Sequence, residues 1–167
     1  MKNDVIVRNA EKEDVRQIAE ICVEDWKKAY RGIIDSGFLD SRSVEKQYET
    51  EIKRYQSNVV ATDGHMILGY AWLQTAEDDA ADCEIVALYV RYDRRKNGIG
   101  KLLLRYAADH FREMGKKRMI IWCLKDNDEA RRFYEKTGGK EFRTGTHPWG
   151  GREYGIVSYL YDLEGGQ

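Results

Sequence analysis

No charge of one sign dominates this chain: 28 lysines and arginines face 29 aspartates and glutamates, a net charge of -1. A protein holding nucleic acid or anionic membrane through its overall field would carry a basic excess, so neither is an expected partner. Long apolar runs are missing as well. Nothing approaches the roughly 18 consecutive apolar residues of a membrane span. Met1 to Ala10 mixes charged and apolar residues without the apolar core of a signal peptide, and the expected location is cytoplasmic. Cysteine is sparse: Cys22, Cys83 and Cys123 are odd in number and far apart. That pattern argues against a disulfide framework or a zinc site and for reduced thiols packed as small apolar filler. His65, His110 and His147 lack ligand spacing, so no metal is expected. Internal repeats, linkers and low-complexity tracts are also absent.

What is present is a chain of 167 residues, 42% apolar and 34% charged, suited to one domain (1–163) with a frayed tail (164–167). Val5 to Val7 reads as a first strand. Asn9 offers a helix cap, and Val15, Ile18, Ala19, Cys22, Trp26, Ala29 and Tyr30 fall on one helical stripe. Gly32 and an Asp35-Ser36-Gly37 turn should break it. A second helix starts near Ser43, with Val44, Tyr48, Ile52 and Tyr55 on one face. Asn58 to Thr62, an Asp63-Gly64 turn and Met66 to Leu73 form a hairpin. Glu77 to Asp82 is a loop, and Cys83 to Val90 a β-branched core strand. Ile99 to Met114 reads as a helix burying Leu102, Leu103, Tyr106, Ala107, His110 and Met114, closed by Gly115. Then follow a strand over Met119 to Leu124, a helix from Asp128 to Lys136 stopped by Gly138-Gly139, and strands over Lys140 to Thr146 and Tyr154 to Tyr161. The order β-α-α-β-β-β-α-β-α-β-β predicts a mixed α/β domain.

One segment carries chemistry. Leu88 to Val90 ends a buried strand, Arg91-Tyr92-Asp93-Arg94-Arg95-Lys96-Asn97 makes a basic loop, and Gly98-Ile99-Gly100-Lys101 opens a helix. Glycines admit the backbone close to an anion, successive N–H groups point into the gap, and the helix N-terminus adds partial positive charge. The arrangement suits a diphosphate. A P-loop would need Ser or Thr where Leu102 stands and a glycine where Arg95 stands; a dinucleotide fingerprint would need a glycine at Leu103. The plainer alternative is a helix cap beside a solvated charge run.

Arg95-Lys96-Asn97-Gly98-Ile99-Gly100 resembles the Arg/Gln-x-x-Gly-x-Gly/Ala signature of the GNAT superfamily of N-acetyltransferases. Asn127-Asp128-Glu129-Ala130-Arg131-Arg132-Phe133-Tyr134 resembles that family's Asn-x-x-Ala-x-x-Phe-Tyr segment. The family's usual Gly-Phe is here Gly138-Gly139. The likeness runs from about residue 4 to 161 and implies the family's fold, a central mixed, mostly antiparallel sheet flanked by helices. It implies acetyl-CoA as co-substrate. Its pyrophosphate would lie on the backbone of Arg95 to Lys101, and its pantetheine arm would add along Leu88, Tyr89 and Val90 as an extra strand. Asn127 would meet the pantetheine end, and Tyr134 would lie near the sulfur.

The resemblance implies direct acetyl transfer to a primary amine of a small molecule, or second a peptide. Tyr134 is the candidate general acid; its plainer role is an aromatic partner for Phe133. Glu84, fourteen positions before Gly98, is the candidate base; its plainer role is a strand-end carboxylate in solvent. Trp26 and Tyr30 are candidates to flank the amine, with Glu24, Asp25 or Asp35 to attract its charge, although core packing also explains the aromatics. The segment from Thr146 to Tyr154, with Trp149, is a candidate cover for the cleft or a contact in a homodimer. Two rival readings are a CoA-binding module without turnover and a nucleotide-binding regulator.

Overall fold

The computed structural model describes residues 4–76 and 78–165, so Glu77 of the loop and the last two residues of the tail lie outside the described residues. Seven strands form one sheet in the order β1-β2-β3-β4-β5-β7-β6. They are β1 (Ile6–Asn9), β2 (Asn58–Thr62), β3 (Ile67–Thr75), β4 (Cys83–Val90), β5 (Arg118–Leu124), β6 (Lys140–Trp149) and β7 (Arg152–Asp162). β4 and β5 pair in parallel, whereas β1–β2, β2–β3, β5–β7 and β6–β7 pair antiparallel. Among the described residues six α-helices accompany them: α1 (Val15–Glu20), α2 (Trp26–Tyr30), α3 (Ser36–Ser41), α4 (Val44–Glu51), α5 (Ile99–Glu113) and α6 (Asp128–Lys136). A parallel pair needs a crossover, and α5 supplies it between β4 and β5. The expected mixed sheet with helices is the observed fold.

The chain divides into two compact units, one of residues up to Leu73 with Ala87–Tyr106, the other of Gln74–Val86 with residues from Ala107 onward. In the first, Asn9 is the last residue of β1 rather than a cap. The helical segment starts two residues later, where the Glu11 N–H donates to the Asp14 carboxylate at 2.8 Å. Arg8 grips the same carboxylate through both terminal nitrogens, at 2.7 and 3.1 Å. Between α1 and α2 the helix widens into a π turn, Ile21–Asp25. The extra residue shifts the buried stripe, so Val23 is buried and Ala29, expected inside, is exposed. Gly32, at φ +90°, ends this stretch.

Asp35-Ser36-Gly37 is not a turn. Asp35 caps α3 by accepting the Phe38 N–H at 3.1 Å, and α3 buries Leu39. α4 starts near Ser43 as expected, and Ser43 caps it by accepting the Lys46 N–H at 3.2 Å. The most buried residue of α4 is a carboxylate. Glu51 is fully enclosed and held by Gln47 at 2.9 Å, Arg54 at 2.6 and 3.2 Å, and Asn58 at 3.3 Å. Such satisfaction is what makes a buried charge tolerable. Ala10, Ile18, Ile21, Cys22, Val60, Ile67 and Tyr70 close the core of this unit, with Ala87 and Tyr89 packed against them.

In the second unit the β5–β7 ladder runs from Arg118↔Asp162 to Leu124↔Ile156. Met119, Ile121, Val157 and Tyr159 are buried along it. β6 and β7 reach further than expected: Pro148 and Trp149 belong to β6, and the connection is a two-residue Gly150-Gly151 turn with φ of +59° and +82°. The face of α5 also differs from the expectation. Ile99, Leu103, Leu104, Ala107 and Phe111 are buried, while Leu102, His110 and Met114 are exposed.

Candidate active site

The basic loop after β4 folds as a tight 3-10 turn, Tyr92–Arg94, followed by two left-handed residues, Lys96 at φ +67° and Gly98 at φ +81°. Lys96 is the only non-glycine with positive φ among the described residues, a backbone state rare for a side-chain-bearing residue. The first helical bond of α5 runs from the Leu102 N–H to the Gly98 carbonyl at 3.1 Å. The N–H groups of Ile99, Gly100 and Lys101 therefore precede the helical ladder, where an anion is best received. Asn97 stiffens the loop by donating to the carbonyls of Arg94 and Arg95 at 3.2 and 3.3 Å. The Arg95 guanidinium lies 4.6 Å from the centre of the Tyr92 ring.

Gln17 and Asp25, neither expected to support this loop, hold it in place together with Arg91. Gln17 of α1 accepts the Ile67 N–H at 2.8 Å and an Arg91 nitrogen at 3.1 Å. Arg91 also donates to the Ile67 carbonyl, and its own N–H to Leu68 at 2.8 Å. Asp25, last in the π turn, accepts the Tyr92 N–H at 2.7 Å. Gly69 is required behind it: a Cβ there would sit 2.8 Å from the Tyr89 carbonyl oxygen and 3.2 Å from the Val90 Cα. It lies beside a bulge in the β2–β3 ladder, where the register shifts between Ala61 and Thr62. A lone glutamine or aspartate on a helix carries no pattern that could have marked it as a support for this loop.

Leu88, Tyr89 and Val90 form the end of β4. The parallel ladder with β5 joins Cys83–Ile85 to Met119–Ile121, the first three of β4's eight residues. Trp26 is buried, its ring 4.8 Å from Tyr30, 6.1 Å from Phe38 and 4.3 Å from the Arg42 guanidinium. Tyr30 is half-buried. Of the three carboxylates offered for a cation, Asp25 and Asp35 have backbone partners, and Glu24 is exposed.

In the second unit, Asn127 caps α6, its Oδ1 accepting the Ala130 N–H at 3.1 Å. The cap uses the carbonyl half of the side chain and leaves the amide half as a donor. Tyr134 is buried, with ring centres 5.4 Å from Phe133 and 5.7 Å from Tyr159. Arg131 braces this cluster: it donates to the Tyr159 hydroxyl at 3.1 Å and the Lys125 carbonyl at 3.0 Å, and pairs with Glu141. Gly139 explains the departure from a Gly-Phe stop. A Cβ at that position would lie 2.9 Å from both the Tyr134 carbonyl oxygen and the Tyr161 ring, whose hydroxyl donates to the same oxygen at 3.0 Å.

Glu84 lies in β4 opposite Ile120, between the buried Cys83 and Ile85 on the other face. It is half-buried, and among the described residues no hydrogen bond or ion pair engages its carboxylate. Burial alone pushes its pKa above the ordinary carboxylate value. Cys83 and Cys123 are inert by comparison. Burial pushes Cys83 up to about 12 and Cys123 to about 11, so neither supplies a thiolate near neutral pH. Among the described residues no group of three or more His, Cys, Asp or Glu could hold a metal ion, and no helix is long and apolar enough to cross a membrane.

A family model described as "Acetyltransferase (GNAT) family" matches residues 16–139, a span holding the loop, Gly98 and Gly100, and all of α6. The chain belongs to the GNAT acetyltransferase family. It is an acetyl-CoA-dependent N-acetyltransferase. Among its relatives is the uncharacterized N-acetyltransferase YuaI of Bacillus subtilis, 28% identical over 128 residues, 74% of this chain and 73% of YuaI. Another is the spermidine N(1)-acetyltransferase of Thermoplasma acidophilum, 27% identical over 143 residues, 80% of this chain and 87% of that protein. A solved structure of the same fold is the PaiA N-acetyltransferase from Thermoplasma acidophilum in complex with coenzyme A. It superimposes with a TM-score of 0.76 at 24% identity, covering 95% of this chain and 99% of that one. A putative acetyltransferase, YncA, from Salmonella typhimurium with acetyl-CoA gives 0.72 at 20% identity, covering 96% and 95%.

Proposed function

We propose that this GNAT member acetylates a primary amine on a small molecule by direct transfer, with Glu84 as general base and Tyr134 as general acid. The observation that carries the reading is Glu84: a half-buried carboxylate that no hydrogen bond or ion pair engages among the described residues, its pKa raised by burial. Structural carboxylates in this chain look different, since Asp14, Asp63 and Asp82 accept backbone N–H bonds and have lowered values. A carboxylate half-buried in this way, its charged form disfavoured by desolvation, is poised to take a proton.

The residues of the loop fit a diphosphate. The N–H groups of Arg95 to Lys101 and the left-handed turns at Lys96 and Gly98 form an anion cradle, and Arg95, Lys96 and Lys101 supply its charge. On this reading they hold the CoA pyrophosphate, Leu88 to Val90 offer backbone groups to the pantetheine, and Asn127 offers its amide donor. Acetyl-CoA supplies an activated acetyl thioester. Glu84 takes the proton lost as the amine nitrogen bonds to the acetyl carbon, directly or through water. N–H groups near Leu88 to Val90 receive the developing oxyanion, and the Tyr134 hydroxyl protonates the sulfur as the carbon–sulfur bond breaks. On the same reading Tyr30, half-buried with its ring 4.8 Å from that of Trp26, and the exposed Glu24 would meet the cationic acceptor.

A small amine is favoured over a peptide because the relatives include a spermidine N(1)-acetyltransferase and mycothiol acetyltransferases. The test is CoA-thiol release from acetyl-CoA across polyamines, amino acids, aminoglycosides and short peptides. Release with one or more small amines is expected. Release with peptides alone would overturn the small-molecule reading.

A further inference from the structure

The π turn in the first helical segment has a consequence for the loop that follows β4. Gln17 and Asp25 are eight residues apart, which in a regular α-helix places them roughly 80° apart around the axis. A π turn inserts one residue without advancing the helix, so the pair is wound as if seven apart, within about 20° of each other. Both side chains then reach successive loop residues, Gln17 the Arg91 side chain and Asp25 the Tyr92 backbone. Gln17 accepts from Ile67 and Arg91 at the base of the loop, and Asp25 accepts from the Tyr92 N–H at its first turn. Tyr92 in turn carries the Arg95 guanidinium on its ring at 4.6 Å. Arg42 secures the other end of the π turn, donating to the Cys22 carbonyl at 3.0 Å and lying over Trp26.

We infer that Asp25 is a positioning residue for the diphosphate cradle, fixing through the Tyr92 N–H the loop that carries Arg95. The inference rests on the reading of Arg95 to Lys101 as the CoA pyrophosphate site. Charge alone opposes it: a carboxylate beside an anion site weakens anion binding, so Asp25 is an unfavourable neighbour unless its geometry is needed. Positioning and simple electrostatics therefore predict opposite signs. Removing the side chain loosens CoA if Asp25 positions the loop and tightens CoA if it acts only as a charge. Asparagine keeps an oxygen to accept the Tyr92 N–H and removes the charge, so it rescues a positioning role.

The experiment is calorimetric titration of the full chain with CoA and, separately, with pantetheine, which lacks the diphosphate. Wild type, Asp25→Asn and Asp25→Ala are compared. Asp25→Ala should bind CoA about tenfold more weakly, as expected for loss of a charge-assisted hydrogen bond. Asp25→Asn should stay within about twofold of wild type or bind more tightly, and pantetheine binding should not separate the three. Amide hydrogen exchange at Tyr92 should quicken about tenfold in Asp25→Ala and remain near wild type in Asp25→Asn. Asp25→Ala binding CoA as tightly as wild type, or more tightly, would overturn the positioning role while leaving the pyrophosphate site intact. Wild type binding CoA no better than pantetheine would overturn the site itself, and the inference with it.

Discussion

At the scale of single residues, Glu84 and Tyr134 were both legible as candidates, but for different reasons. Glu84 stands out because a carboxylate interrupts an apolar strand, and the fold adds that no ion pair engages it among the described residues. The sign of its raised pKa yields two linked outcomes. A folded-state value above the ordinary 4.5 means that the folded protein binds this proton more tightly than the unfolded chain. Stability is then lost as pH rises from 4.5 through the raised value, and at neutral pH the charged Glu84 is a net liability. Glu84→Gln should therefore be at least as stable as wild type at pH 7, measured by urea unfolding. The same variant should lose roughly 10²-fold in kcat and flatten the lower limb of the kcat–pH profile. Activity lost without stability is the signature of a base; unchanged activity would return Glu84 to a strand-end role. Tyr134→Phe tests the acid: CoA should bind with little change while kcat falls by a similar factor, because only the hydroxyl is removed. Full turnover would leave Tyr134 as the aromatic partner of Phe133 and Tyr159 that its packing already makes it.

At the scale of elements, local signals succeeded where one pattern stood alone and failed where two competed. β2, β4 and α6 match their expected bounds because turn residues or caps sit at both ends. α5 was placed correctly along the chain, but only part of its inward face was: Leu103 and Ala107 are buried as expected, Leu102, His110 and Met114 are not. Leu102, Leu103 and Leu104 in succession let the apolar stripe start on either of two phases, and only tertiary packing chose Leu103 and Leu104. α3 was missed because Ser36 and Gly37 are weak helix formers; the Asp35 cap and the buried Leu39 outweighed them. The π turn has no sequence signature at all. Glycines give the sharpest element-scale test. Gly69→Ala and Gly139→Ala each drive a Cβ against backbone oxygen, at 2.8 and 2.9 Å, where neither neighbour can swing aside. Each should cost about 1–3 kcal/mol in urea unfolding. Gly145→Ala is the control, since its Cβ would meet only side chains at 3.6 Å or more and should cost far less.

At the scale of the whole molecule, the legible part of the site was the contiguous part. Arg95 to Lys101 could be read because seven neighbouring residues build one cradle, whereas its supports arrive from 67 and 74 residues away and exist only in the fold. The near-zero net charge has a consequence that separates this enzyme from a general anion binder. With no basic excess, a nucleotide gains little from long-range attraction, and recognition depends on groups that fit the loop and the edge of β4 together. CoA should therefore stabilise the full chain, and ATP or NAD should not, although all carry phosphates. A ligand that binds only the folded state adds about 2.7 kcal/mol at a hundred times its Kd. For a chain of this length that corresponds to a Tm rise of roughly 5–11 °C in a thermal-shift titration. An equal rise with ATP would mean that the loop reads phosphate alone, and the strand-like role of Leu88 to Val90 would lose its support. A rise confined to CoA and acetyl-CoA, persisting at raised salt, would show that short-range fit, not field, selects the co-substrate.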